Sequence, residues 1–128
     1  MTLRKVCIIT GTRAEWGLLS PIACALDERP DVELQVIATN MHLMEKYGMT
    51  VHEIEADGIT VTKRVPLPLL TDSEADTART MAACLKGMAD AFESLTPDVA
   101  VILGDRTEML AAAAAATAMR IPIVHISG

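Results

Sequence analysis

The chain has 128 residues, of which 51% are hydrophobic and 22% are charged, so it is long and apolar enough to bury the core of one domain. Only 2% of the residues are aromatic and the net charge is -6, which argues against a nucleic-acid partner, because nucleic acids are bound by clustered cations and stacking rings. The sequence has no apolar stretch of about 18 residues and begins with no apolar leader, so we expect a cytoplasmic protein without a membrane span.

Strand-like and helix-like segments alternate along the first half of the chain. The continuous apolar run at residues 5–10 is typical of a strand buried on both faces of a parallel sheet. The helix predicted after it has Trp16, Leu18 and Ile22 among its apolar positions, and Pro21 inside it predicts a kink or a later start. The predicted segments are a strand at 5–10, a helix at 14–28, a strand at 32–39, an irregular stretch at 40–48, a short helix at 50–56 and a strand at 59–65.

The same alternation continues in the second half. Pro66 and Pro68 bracket a loop of the kind that closes over ligands, and Asp72 or Ser73 is the predicted N-cap of the long helix that follows. The predicted segments are a helix at 73–95, an apolar strand at 99–103, an Ala-rich helix at 105–119 and a strand at 121–126. Together the segments predict a doubly wound α/β domain with a mainly parallel sheet and right-handed crossovers.

Ligands of such a sheet bind beyond the carboxyl ends of its strands. Three polar, glycine-containing stretches follow predicted strands, at residues 11–15, 104–108 and 125–128. In the first, Gly11 allows a tight turn, the helix that follows aims free backbone amides at a ligand, and Arg13 is placed to fork onto a phosphate. The stretch matches neither the three-glycine dinucleotide fingerprint nor a P-loop, and an ordinary turn with a solvated Arg13 is the alternative.

The second and third stretches each allow two interpretations. Asp105 is either an acid or base at the end of a strand, with Arg106 beside it, or the N-cap of the Ala-rich helix with Glu108 completing a capping box. His125 either binds substrate and moves protons or is a structural residue. The other two histidines, His42 and His52, are predicted to lie on the surface.

Neither metal chemistry nor covalent catalysis is indicated by the spacing of the reactive residues. The three cysteines, Cys7, Cys24 and Cys84, lie far apart in apolar surroundings and are interpreted as reduced core residues. No cluster of His, Cys and Asp has the spacing of metal ligands, and no serine nucleophile motif occurs.

Taken together, the three stretches resemble one enzyme family over the whole chain. The matching segments are GTRAEWGLL at 11–19, LGDRTE at 103–108 and IPIVHISG at 121–128, with support from His42-Leu43, Tyr47-Gly48, Ile54 and Asp57-Gly58. Their order and spacing resemble the hydrolysing UDP-N-acetylglucosamine 2-epimerases, and the RAEW and GDR forms are similar to the hydrolysing branch.

This resemblance implies the N-terminal Rossmann-like half of a two-domain GT-B-type enzyme, with the active site between the domains and no nicotinamide or metal cofactor. It implies elimination of UDP from UDP-N-acetylglucosamine to give 2-acetamidoglucal, and addition of water with inversion at C2 to release N-acetylmannosamine for sialic acid synthesis. Similar enzymes act on UDP-N,N'-diacetylbacillosamine for legionaminic acid synthesis. A homo-oligomer is also implied.

The resemblance assigns roles to five residues. Arg13 is implied to contact the nucleotide phosphates, Asp105 to belong to the catalytic carboxylates, Arg106 and Glu108 to support the site, and His125 to line it. The family's further catalytic Glu and its UDP-binding domain follow the segment that matches 121–128, so we expect the 128 residues alone to be inactive. A non-catalytic nucleotide-binding α/β module is the alternative of another class.

Overall fold

The computed structural model, which describes residues 2–127, alternates strands and helices in the predicted order. Its elements are strands β1 (Arg4–Thr10), β2 (Val32–Thr39), β3 (Lys63–Val65), β4 (Val99–Leu103) and β5 (Ile123–Ile126), helices α1 (Arg13–Asp27), α2 (Val51–Ala56), α3 (Glu74–Leu95) and α4 (Thr107–Ala118), and 3-10 turns at Asn40–Leu43 and Glu45–Tyr47. The strands are all parallel, in the order β3-β2-β1-β4-β5. The predicted α/β class and parallel sheet are confirmed.

The central strand packs its alternate residues into two separate cores. In β1, Cys7 and Ile9 belong to the core formed with α3 and α4, and Val6 and Ile8 belong to the core formed with α1 and α2. This burial on both faces is what the continuous apolar run predicts. The helices change from one face of the sheet to the other between β1 and β4, and the strand order therefore places a crevice at the carboxyl ends of these two strands.

Two strands are shorter than predicted. The strand expected at 59–65 pairs only over Lys63–Val65, because the Thr62 hydroxyl accepts a 2.9 Å hydrogen bond from the Val36 amide and so takes the place of a ladder carbonyl. The strand expected at 121–126 begins at Ile123, because the amide of Ile121 still bonds the carbonyl of Ala116 in α4 at 2.8 Å.

Helix α1 begins at Arg13 and continues through Pro21, so the later start that Pro21 predicted does not occur. Of its apolar residues, Trp16, Leu19 and Ala23 are buried, whereas Leu18 and Ile22 are 65% and 37% exposed. These two residues lie one position before Leu19 and Ala23, about 100° around the helix from the buried stripe.

Gly87 of α3 packs directly against β3, because a Cβ atom there would overlap Val65 Cγ1. We expect Gly87→Ala to destabilise the fold by about 1–3 kcal/mol, because overpacking outweighs the helix propensity that alanine adds. Gly17 of α1 is the matched control, since a Cβ atom there meets no atom within 4 Å, and Gly17→Ala should stabilise by roughly 0.5–1 kcal/mol. Urea unfolding of both variants measures the difference, and equal shifts would contradict the close contact.

Candidate active site

The loops that follow β1 and β4 meet at the carboxyl edge of the sheet. The side chain of Glu108, in the first turn of α4, lies directly against Gly11, because a Cβ atom on Gly11 would come within 2.8 Å of Glu108 Oε1. Glu108 is only 2% exposed. Two of the three predicted stretches, 11–15 and 104–108, are therefore parts of one site at the point where the strand order reverses.

Glu15 occupies the backbone amides at the start of α1. Thr12 is the N-cap, its hydroxyl accepts from the Glu15 amide at 3.1 Å, and Glu15 completes a capping box. Glu15 Oε1 accepts hydrogen bonds from the amides of Gly11 at 2.8 Å and of Thr12 at 3.1 Å. The expectation that these loop amides are free for a ligand was wrong, because a buried carboxylate already fills their place.

The electrostatic state of Glu15 follows from its burial. Desolvation raises the pKa of its carboxyl group above the ordinary value of 4.5, the hydrogen bond from Gly11 opposes the rise, and the negative charge of Glu108 adds to it. Burial therefore disfavours the charged form of Glu15, and Arg106 is the nearby cation that favours it.

Glu15→Gln is expected to stabilise the fold at neutral pH. The pKa of Glu15 is higher in the folded state than in the unfolded chain, so ionisation of Glu15 lowers the free energy of unfolding. This loss of stability is absent below the ordinary value of 4.5, where the carboxyl group is protonated in both states, and it is complete once the pH exceeds the pKa of the folded state. Glutamine keeps the acceptor oxygen for the two amides and removes the charge. Urea unfolding on both sides of pH 4.5 tests this, with exposed Glu93→Gln as control. A gain of the same size at acidic and neutral pH would contradict it.

The loop after β4 presents a carboxylate, Asp105, directly beside a guanidinium, Arg106. Gly104 has a left-handed backbone with φ of 81°, and the exposed Asp105 follows it. Arg106 donates from Nε to Glu108 Oε1 at 2.7 Å, and this bond raises the pKa of the guanidinium. Arg106 is 43% exposed in its side chain, whereas its partner is buried. The pair therefore orients a cation toward solvent while Asp105 stands beside it.

The structure excludes the capping interpretation of the second stretch. The N-cap of α4 is Arg106, its side chain makes no capping bond, and the helix starts at Thr107. The Glu108 carboxylate bonds the guanidinium of Arg106 and the hydroxyl of Thr107, so the predicted capping box of Asp105 and Glu108 was wrong. The reason is that a hydrogen bond from a charged donor stabilises a buried carboxylate more than a hydrogen bond from a helix amide does.

His125 contacts the same loop from the edge strand β5. Its Nε2 lies 2.7 Å from the carbonyl oxygen of Gly104, so Nε2 donates and Nδ1 is the nitrogen left for another partner. The ring is exposed, and the bond ties β5 to the turn that carries Asp105. Gly128, which ends the third stretch, lies outside the described residues.

Arg13 does not contact the residues of the loop after β4. Its side chain is 74% exposed and pairs with Glu53 of α2 at 3.1 Å. It lines a shallow cavity with Trp16 and Asp57 on the side of α1 and α2. Its contact with phosphate stays a prediction.

His42 was wrongly predicted to lie on the surface and is fully buried. Its Nε2 is 2.9 Å from Thr10 Oγ1 at the end of β1, and its Nδ1 is 3.0 Å from Thr50 Oγ1. Burial lowers the pKa of the ring to about 4, so it is neutral at physiological pH and joins the two threonines. His52 is exposed, as predicted.

A cleft of about 230 Å³ opens beside Arg106, and sequence reasoning did not find it. Its walls are the 3-10 turns, the loop that begins at Pro66, the start of α3 and the Arg106–Glu108 pair. Asn40 on its rim has a left-handed backbone with φ of 53°, a conformation that is rare outside glycine and often found at functional sites. That strain is invisible in the sequence, although the bracketing prolines do mark the loop.

Elsewhere in residues 2–127, the reactive groups do not form a second site. Burial raises the pKa of the Cys7 thiol to about 12 and of the Cys84 thiol to about 11, which fits the interpretation of both as inert core residues, and Cys24 is half-buried. Within residues 2–127 no group of three or more His, Cys, Asp or Glu side chains could hold a metal ion. Over the same residues no helix is both long and apolar enough to cross a membrane.

Comparison with known proteins identifies close relatives. The profile of the family described as UDP-N-acetylglucosamine 2-epimerase matches residues 24–128. Over its full length the chain is 42% identical to the GDP/UDP-N,N'-diacetylbacillosamine 2-epimerase (hydrolyzing) of Campylobacter jejuni, and over 98% of its length it is 42% identical to the UDP-N,N'-diacetylbacillosamine 2-epimerase (hydrolyzing) of Legionella pneumophila. The chain spans 33% of the length of each of these two relatives.

A solved structure agrees with these sequence matches. The crystal structure of Methanocaldococcus jannaschii UDP-GlcNAc 2-epimerase in complex with UDP-GlcNAc and UDP superposes with a TM-score of 0.76 at 29% identity, over 94% of this chain and 32% of that one. The Rossmann-like fold of a GT-B-type enzyme, which the resemblance implies, is thereby confirmed. Because the family profile covers most of the sequence, the chain belongs to the UDP-N-acetylglucosamine 2-epimerase family.

Proposed function

We propose that the complete protein containing this chain is a hydrolysing UDP-sugar 2-epimerase, and that the site at β1 and β4 supplies groups for its chemistry. The observation that carries the proposal is the oriented cation of Arg106, held by buried Glu108 at 2.7 Å, next to the exposed carboxylate of Asp105. An elimination that expels a diphosphate needs both a cation near the leaving group and a carboxylate near the proton that is removed.

The reaction divides into two steps that need no redox change. In the first, the bond between C1 and the UDP oxygen breaks, UDP takes the electron pair, and the proton on C2 passes to a base, which leaves a glycal. Arg106 stabilises the charge on the diphosphate, and Asp105 belongs to the carboxylates that transfer the proton. In the second, water adds its OH to C1 and a proton to C2, on the face opposite to the one that lost its proton, which gives the 2-epimer as the free sugar.

Two sugars fit this chemistry. UDP-N-acetylglucosamine would yield N-acetylmannosamine for sialic acid synthesis, and UDP-N,N'-diacetylbacillosamine would yield the corresponding diacetamido sugar for legionaminic acid synthesis. The relatives at 42% identity are both named for the second sugar, whereas the solved relative named for UDP-GlcNAc is 29% identical. These identities favour the diacetamido sugar.

The proposal extends to the parts of the protein beyond this domain. A second Rossmann-like domain would close the cleft over the carboxyl edge and bind uridine, and Arg13 would reach the phosphates from the start of α1 in the closed form. His125, held through Nε2, would offer Nδ1 to the substrate. We expect a cytoplasmic homo-oligomer.

Proton NMR in D₂O with the complete protein tests the function. Each UDP-sugar is supplied in turn, and the expected result is release of UDP with a 2-epimer that carries deuterium at C2. Loss of UDP without deuterium at C2 would overturn the elimination. Binding of UDP without turnover of either sugar would leave a nucleotide-binding domain and would overturn the proposal.

A further inference from the structure

One wall of the cleft beside Arg106 is the segment at residues 40–50, and its backbone is held in an unfavourable shape. The residues of this segment that line the cleft are Asn40, Met41, Met44, Lys46 and Tyr47. Asn40 has a φ of 53° and Met49 a φ of 49°, so a left-handed residue other than glycine lies near each end of the segment. In this conformation Cβ crowds the following carbonyl oxygen, and it persists only where surrounding contacts hold it.

Two side-chain hydrogen bonds hold the segment, and both are made by the fully buried ring of His42. Nδ1 is 3.0 Å from the hydroxyl of Thr50, which closes the base of the segment, and Nε2 is 2.9 Å from the hydroxyl of Thr10, which fastens the segment to the end of β1. A neutral imidazole has one donor and one acceptor nitrogen and a hydroxyl serves as either, so both bonds form together. Leu43 and Met49 also pack at the edge of the core formed with α1 and α2, but apolar contacts are non-directional.

The hydroxyl of Thr50 has no other task in the described structure. Thr50 is the N-cap residue of α2, yet its side chain makes no capping bond, so the hydroxyl is committed to His42. An N-cap threonine ordinarily bonds an amide of its own helix. The ring of His42 has therefore replaced a local bond with one that spans the base of the segment.

The other end of this contact leads to the reactive groups. Thr10 directly precedes Gly11, and Gly11 lies against buried Glu108, which holds Arg106 at 2.7 Å. The ring of His42 thus lies between one wall of the cleft and the strand end against which the Arg106–Glu108 pair packs. A shift of the ring moves the wall relative to the guanidinium.

Resting on the proposed function, we propose that His42 is a positioning residue, which pins the wall at residues 40–50 to the end of β1 and so sets the shape of the cleft in which Arg106 acts. His42 itself does not line the cleft, so it acts only through the residues that do. A displacement of about 1 Å caused by a substitution away from the reacting atoms can lower a rate by roughly 10²-fold.

The test uses His42→Ala and Thr50→Val in the complete protein, with Thr62→Val as matched control, because the Thr62 hydroxyl also makes a hydrogen bond, to the Val36 amide, and does not line the cleft. Release of UDP from both UDP-sugars is measured at a temperature where each variant is folded. We expect kcat to fall about 10²-fold in His42→Ala and roughly tenfold in Thr50→Val, with no change in the control. Thr50→Val keeps the ring in place, so it decides the question even where His42→Ala fails to fold.

Hydrogen exchange followed by mass spectrometry adds a readout that does not need turnover. The amides of Tyr47, Gly48 and Met49 bond carbonyl oxygens within the segment, so their exchange reports whether the wall opens. We expect the segment at 40–50 to exchange roughly tenfold faster in Thr50→Val than in the wild type, and at the wild-type rate in Thr62→Val.

Two results would overturn the inference and leave the proposed function standing. Unchanged exchange in Thr50→Val would show that the ring does not hold the wall, and faster exchange with an unchanged kcat would make His42 a structural residue alone. Turnover of neither sugar by the wild type would overturn the positioning role together with the proposed function.

Discussion

Asp105→Asn in the complete protein should lower kcat by about 10²- to 10⁴-fold, the contribution usual for a positioned proton-transfer group. Asp105 is exposed at the turn after β4, and its side chain has no hydrogen-bond partner recorded among residues 2–127, so it is free to act on a ligand. Asparagine keeps the size of the side chain and removes the base. UDP affinity should therefore stay near the wild-type value.

The control for this variant is Asp90→Asn on α3, an exposed carboxylate that pairs with Lys86 at 3.2 Å. Steady-state rates and UDP binding are measured for both variants, with the thermal midpoint as a check on folding. A wild-type rate for Asp105→Asn would remove this residue from the catalytic set. A rate that falls only because UDP affinity falls would assign it to binding.

Arg106→Ala is the second substitution with a large expected effect. The guanidinium uses Nε to bond Glu108, which leaves its two terminal amino groups for a diphosphate. Removal of one donor of this kind lowers kcat by roughly 10²- to 10³-fold in other enzymes, and we expect a similar loss here. Alanine also leaves the carboxylate of Glu108 buried without its cation, so a lower free energy of unfolding is expected as well.

Arg106→Lys separates these two effects. Lysine keeps the positive charge, and hence the pairing of Glu108, but its single ammonium group cannot bond the carboxylate and fork onto a diphosphate together. We expect near-normal stability with an intermediate loss of kcat. Arg79→Ala, which removes an exposed guanidinium paired with Asp76 at 2.7 Å, controls for general surface charge. Full activity of Arg106→Lys would show that charge alone suffices.

The strands and the site edge could be predicted because they depend on local patterns. The run Val99–Leu103 is apolar throughout and forms β4 with the predicted bounds, and the polar residues that follow it must then lie at the carboxyl edge. The predicted strand at 59–65 was wrong in its first half because a single hydroxyl, that of Thr62, replaces a backbone acceptor. A choice between two acceptors of similar strength leaves no trace in the hydrophobic pattern.

The side-chain contacts within the site could not be predicted, because they join residues that are distant along the chain. Glu108 lies against Gly11 across 97 residues, and His42 bonds Thr10 across 32. Either residue taken alone is polar and suits a solvated loop. Only the fold brings each to a buried partner, and burial then keeps the ring of His42 neutral by lowering its pKa.

The carboxylate of Glu15 acts as an internal competitor for anions. By accepting from the amides of Gly11 and Thr12, it occupies the position in which phosphate sits in many nucleotide-binding domains. Free phosphate and sulfate therefore meet amides that are already occupied at this helix start instead of an open cradle. Attraction of a nucleotide must come from flexible guanidinium groups, and ionic strength should weaken it more steeply than in a domain that grips phosphate with its backbone.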